Sequence, residues 1–130
     1  MKFIQNAIYN TYDGKYYMST NRWDYVSFKV SETEELFIDG GRDYRRSNFT
    51  HHPNVVEWSL NEDSTWEECK EKVLWGTYGI NGDEPKTWVP LSKCTTEHLQ
   101  AILDTQKHLS RSLIELIEDI LKDRIVYKYL

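Results

Sequence analysis

The sequence predicts an α+β fold: an N-terminal antiparallel β-sheet with a short helix, followed by two C-terminal amphipathic helices. Three observations carry that expectation. Short β-branched and aromatic runs bounded by Gly, Asp and Asn fill the first sixty residues, and a 3.6-residue apolar period dominates the last thirty-five. Between them lies Trp75-Gly76-Thr77-Tyr78-Gly79-Ile80-Asn81-Gly82-Asp83-Glu84-Pro85-Lys86-Thr87-Trp88-Val89-Pro90-Leu91, a glycine-bracketed loop between two strand-like arms. Strands first and helices last is the α+β order, and no repeat or linker divides residues 1–130, so one domain is expected.

Lys2 to Thr11 and Lys15 to Thr20 flank Asp13-Gly14, a strong hairpin signal. Asp24 to Val30 alternates, with Val26, Phe28 and Val30 on one side, which is the period of a half-buried strand. Leu36-Phe37-Ile38 adds another strand that stops at Asp39-Gly40-Gly41. Arg42 to Asn48 is polar and basic and reads as a surface loop with at most one strand-like turn. Val55 to Leu60 alternates again. Ser64-Thr65-Trp66-Glu67 matches a capping box, in which the Ser64 hydroxyl accepts from the Glu67 amide, and it opens a helix to about Val73. Asn81-Gly82 suits a type I′ turn with φ > 0 at both positions, leading into a return strand at Thr87-Trp88-Val89. Thr95 or Thr96 caps a helix running to about Lys107. Ser110 caps the last one, whose stripe of Leu113, Leu116, Ile117, Ile120 and Leu121 offers more apolar surface than a small sheet needs. That surplus points to a homo-oligomer joined through the C-terminal helices.

The whole net charge of −5 falls between His51 and Pro90, where three lysines face eight carboxylates. An acidic middle disfavours duplex nucleic acid, whose affinity comes from basic side chains on phosphates; it suits a partner with a basic surface, or a solvated helix face. Cys69 and Cys94 stand alone with no Cys-x-x-Cys pair, so two free thiols are expected and no disulfide framework or zinc ribbon. The opening Met1-Lys2-Phe3-Ile4-Gln5-Asn6 breaks its apolar run at once, so no secretion signal, no membrane span and a soluble intracellular protein are expected.

Two groups of residues suit ligand binding. The first is Arg42, Arg45 and Arg46, just after the double glycine, where guanidinium forks and exposed amides suit a phosphate. The same residues also fit a tight turn whose arginines pair with the acidic segment. The second is Trp75, Thr77, Tyr78 and Trp88, whose rings could form a stacking platform for a base, or equally the core of a small sheet. Adjacent His51 and His52 on a strand would point to opposite faces, so no metal site is expected, and no cofactor either. Nucleophile elbows, Walker loops and dinucleotide fingerprints are missing, so no catalytic residue is assigned and a non-enzymatic protein is expected.

Phe37-Ile38-Asp39-Gly40-Gly41-Arg42-Asp43-Tyr44-Arg45-Arg46, taken with Leu74 to Leu91 and Glu97 to Gln106, resembles a family of small uncharacterised proteins encoded by tailed bacteriophages and prophages. Where members of that family carry His-Asp-Phe-Val and then Cys-x-Cys-Gly before Asp-Gly-Gly, this chain has Trp23-Asp24-Tyr25-Val26 and then Phe28 and Val30. No cysteine metal role therefore carries over. The resemblance implies a phage protein in the cytoplasm of the bacterial host, of the kind that counters host defences. Three modes of action follow: sequestering a nucleotide-like small molecule, such as an immune signal, on the arginines and rings; inhibiting a host protein through the acidic segment; or, last, acting on a phosphodiester with His51 or His52 as acid-base groups.

Overall fold

The computed structural model describes residues 3–20, 24–39, 44–47, 51–79 and 81–128. It is an α+β fold, an antiparallel strand region followed by a short helix and two C-terminal helices. Strands β1 (Asn6–Asn10) and β2 (Lys15–Ser19) form the hairpin expected at Asp13-Gly14, with Gly14 at φ +71°. Strands β3 (Val26–Lys29), β4 (Glu35–Asp39) and β5 (Tyr44–Ser47) make a separate antiparallel sheet in that order. The basic segment expected as a loop thus contributes a strand, because Phe37↔Arg46 and Ile38↔Arg45 pair along β4.

The five-stranded sheet runs β6-β1-β2-β8-β7, where β6 is Val55–Glu57, β7 is Leu74–Thr77 and β8 is Thr87–Pro90. The strand expected to Leu60 is shorter; beyond Glu57 the Trp58 amide donates to Ala7 O, and Leu60 bridges to Gln5 just before β1. Helix α1 (Trp66–Lys72) is capped one residue later than expected. The Thr65 hydroxyl accepts from the Glu68 amide and Glu68 reaches back to Thr65 N, while Ser64 Oγ instead accepts from Asn61 N in the preceding turn. Both frames satisfy the capping-box pattern, and the later one turns Cys69 into the core. The connection from β7 to β8 also differs from a type I′ turn: Gly79 (φ +85°) and Gly82 (φ +72°) take the left-handed positions and Asn81 does not. The Gly82 amide donates to Gly79 O and the Glu84 amide to Tyr78 O.

A 3₁₀ turn (Leu91–Lys93) leads to α2 (Thr96–Thr105), capped by Thr95, and α3 (Arg111–Lys128), where Ser110 Oγ accepts from Leu113 N. Two apolar clusters follow from this order. Ile8, Phe28, Val30, Leu36 and Ile38 join the two sheets, with Tyr17 stacked on Phe28 at 3.9 Å. Leu60, Cys69, Val73, Leu91, Leu99, Ile102, Leu116, Ile117 and Ile120 join the helices, with Trp75 and Val89 packed on them. The apolar stripe of α3 is therefore absorbed inside the chain; Ile125, further along, is 59% exposed. No helix is long and apolar enough to cross a membrane among the described residues.

Candidate functional site

Strand register decides which of the predicted site residues meet. Cross-strand partners share a face, so the pairs Trp75↔Val89 and Thr77↔Thr87 lie on one side of the β7–β8 hairpin and Gly76↔Trp88 on the other. Trp75 and Val89 settle on the helical core. Beside them, Thr77, Thr87, His98 and Thr105 line a groove of ≈ 830 Å³ against α2. On the opposite side Trp75, Tyr78 and Trp88 all border a hollow of ≈ 410 Å³ together with Met18 and Lys86. Register nevertheless sets the Trp75 side chain on the face opposite Trp88, and no ring contact joins Trp75, Tyr78 and Trp88 among the described residues; Tyr78 is the most open at 52% exposure.

The arginines are placed differently. Arg42 lies outside the described residues, and so does the side chain of Arg46. Arg45 is described, and it is committed elsewhere. Its Nε donates to Asn6 Oδ1 (2.7 Å), its Nη1 and Nη2 to the two Glu57 oxygens (2.7 Å each), and Nη2 also to Ala7 O (2.9 Å) and Ser59 Oγ (2.8 Å). Burial pushes the Glu57 carboxyl up, but hydrogen bonds from Arg45 and Ser59 outweigh it and hold the group below the usual carboxylate range. Asn6 alternates with Ala7 and Tyr9 along β1, so Arg45 lies between the two sheets at the β6–β1 edge. The expected hollow shared by arginine and rings does not form around Arg45: the alternative, a structural arginine paired with the acidic segment, describes its geometry.

What stands near the rings instead is a set of lysines that sequence reading did not single out. Val56↔Tyr9, Tyr9↔Tyr16, Tyr16↔Trp88 and Trp88↔Gly76 are consecutive pairs, so one row of side chains crosses all five strands on one face. Tyr9 and Tyr16 are 4.6 Å apart, and Trp58 meets Tyr16 edge-on at 5.2 Å. All four rings are half-buried. Lys86 Nζ lies 4.3 Å from the Trp88 ring centre, and it reaches there because Gly76 has no side chain: a Cβ at that position would sit 2.5 Å from Lys86 Cε and 3.3 Å from Trp88 Cζ3. Lys93 Nζ donates to the Tyr16 hydroxyl (2.8 Å) and lies 5.5 to 6.0 Å from the Tyr9, Tyr16 and Trp58 rings; that hydrogen bond raises the Lys93 pKa above its ordinary value. Lys72 Nζ is 5.8 Å from Trp58. None of the three ammoniums has a carboxylate within ion-pair distance among the described residues.

Other titratable groups are bound up in structure. His52 Nδ1 accepts from Asn54 N while its Nε2 faces Glu34 at 3.3 Å. Cys69 and Cys94 are free and buried, and burial pushes both thiols up, away from nucleophilic character. The Trp58 indole N–H is buried with no hydrogen-bond partner among the described residues. The row of half-buried rings with its three lysines thus brings together the chemistry that suits a planar anion: π-faces for a planar group, ammoniums for its charge. Comparison with protein families, curated proteins and solved structures finds no match for the chain.

Proposed function

We propose that the protein is a non-enzymatic binding protein for a nucleotide-like ligand, held on the face that carries Tyr9, Tyr16, Trp58 and Trp88. The supporting observation is the trio Lys72, Lys86 and Lys93, each lying over that ring row and each without a carboxylate partner among the described residues. Of the lysines among the described residues Lys70 is ion-paired; Lys72, Lys86 and Lys93 are set apart by lying over aromatic faces, a combination that favours a planar anion. Lysines thus take the role expected of Arg45, with Arg42 and the side chain of Arg46 outside the described residues, while Tyr78 and Trp88 keep theirs beside the hollow. With the resemblance to phage proteins, this supports an anti-defence role in which a nucleotide signal is sequestered in the bacterial cytoplasm.

Calorimetric titration with adenine and guanine nucleotides tests the reading, with Lys86→Ala and Lys93→Ala as controls. Saturable heat that weakens in both variants is the expected result; no heat from any nucleotide removes the proposal. A second reading, inhibition of a basic host protein, is favoured by the carboxylates of Glu67, Glu68 and Glu71 on α1, which share one side of the molecule with Asp119 and Asp123 on α3. It requires association with one host protein that weakens steeply with salt.

A further inference from the structure

We propose that the ligand is a single strand of at least two linked nucleotides lying across the β-strands, not a mononucleotide. This deepens the reading above and rests on it. The face carries two ring-and-ammonium stations. One is Trp88 with Lys86 over it. The other is Tyr16, Tyr9 and Trp58, with Lys93 and Lys72 over them. Either station can hold one base and one phosphate, so a mononucleotide leaves the second empty.

The register joins the two stations directly. Tyr16 and Trp88 are cross-strand partners on neighbouring strands, which lie about 5 Å apart. A stacked strand advances about 3.4 Å per nucleotide, so bases seated on both rings must be splayed apart, each against its own π-face. That is how single strands, and not duplexes, are held. The cations are arranged to match. Lys86 precedes β8 and Lys93 follows it, so the two ammoniums flank that strand from its two ends, over rings on different strands. Two separated positive charges fit two phosphates joined through a sugar better than one compact phosphate group. Tyr78, exposed beside Trp88 at the hairpin end, continues the ring surface for a further base.

The test is a length series titrated against the full chain, read by tryptophan fluorescence: a 5′-mononucleotide, a 5′-phosphorylated linear dinucleotide, a cyclic dinucleotide, a single-stranded 12-mer and a duplex of the same sequence. Affinity is expected to rise at least fivefold from mono- to dinucleotide, the low end of what one stacked base contributes. The 12-mer is expected to show a slope of log K on log salt near −2, about 0.7 for each of three lysines, and Lys86→Ala is expected to reduce it by about 0.7. Cyclic and linear dinucleotides share the chemistry, both count for the proposal, and the tighter of the two identifies the source. Equal affinity for mono- and dinucleotide overturns the two-station inference and leaves the proposed function standing. Duplex binding as tight as the 12-mer also overturns it, and no binding by any member overturns both. Because Trp88→Ala is a change in a packed sheet, the exposed Lys86→Ala and Lys93→Ala carry the mutational arm.

Discussion

Replacing Arg45 by Ala separates a structural arginine from a ligand-binding one. Arg45 belongs to the three-stranded sheet, yet all of its side-chain hydrogen bonds described above go to β1, β6 and the segment after β6. The ion pair with Glu57 is itself weak, because Glu57 is 62% exposed and such pairs contribute about 0–1 kcal/mol. The inward bonds matter more. Arg45 is only 23% exposed, and its guanidinium serves Asn6, Ala7 and Ser59; hydrogen bonds from charged groups contribute about 1.5–3 kcal/mol each and add less than fully within one network. Arg45→Ala is therefore expected to cost about 3 kcal/mol. With urea slopes of about 1–3 kcal/mol/M, the unfolding midpoint falls by roughly 1–3 M. Arg45→Lys loses the bidentate fork and is expected to lie about halfway.

The pH dependence gives the same argument a sign. Glu57 is held below its ordinary value of 4.5 in the folded chain, so its contribution is complete above about pH 4.5 and is lost as pH falls through the folded-state value. Arg45→Ala removes that part of the acid limb along with the bonds that cause it. The assay is paired: urea unfolding at pH 7 and at pH 4, and nucleotide titration of the folded variant. An unchanged midpoint with lost nucleotide binding would refute the reasoning and return Arg45 to the ligand site.

Three further outcomes are expected. Trp58→Phe removes a buried indole N–H that has no partner among the described residues, and the roughly 1–3 kcal/mol cost of that orphan donor offsets the lost ring area, so thermal unfolding should shift little; a loss above about 2 kcal/mol would show that the N–H is satisfied. Gly79→Ala should cost about 1–2 kcal/mol in chemical denaturation, since φ is +85° there, and adding Glu84→Ala should relieve the Cβ contact with Glu84 but not the backbone strain. Lys70→Met should cost about 2 kcal/mol by detaching α1 from Asp119 and Asp123 on α3. Asp119 is held low first by the Trp66 indole N–H and then by Lys70, so its contribution should fade as pH drops below about 3.8, measured by acid titration of the circular dichroism signal.

The fold was legible where a local signal determines the element. Asp13-Gly14, the alternation through Val26 and Phe28, and the stripe of α3 each act within one element. The capping box was legible only to within one residue, because Ser64 and Thr65 each stand three residues before a Glu, and the turn from Asn61 takes Ser64. β5 was hidden because Tyr44 to Ser47 gains strand character only from its partner β4. The site was less legible for the same reason. Arg45 reaches across 12 residues to Glu57 and 39 to Asn6, pairings that no local pattern encodes. Lys72, Lys86 and Lys93 sit on three different segments and meet the rings only because β8 inserts beside β2. One signal was present: a four-residue loop from Thr11 to Gly14 sets Tyr9 opposite Tyr16, which placed two rings of the row in register.

The charge pattern that argued against duplex nucleic acid acquires a different meaning once it is folded. The acidic segment holds three lysines, and the fold sorts them. Lys70 turns to α3 and is neutralised by three carboxylates, Glu67, Asp119 and Asp123. Lys72 and Lys86 turn to the ring face, where Lys93 joins them. Lys72, Lys86 and Lys93 therefore give the aromatic row a local positive charge that the net charge of −5 conceals, while α3 balances four basic residues against four acidic ones. Three ammoniums are too few for a duplex, whose binding proteins neutralise about 6–10 phosphates. They suffice for a ligand of two or three phosphates. The number of ammoniums on the ring face, and not the sign of the net charge, thus favours a single strand over a duplex.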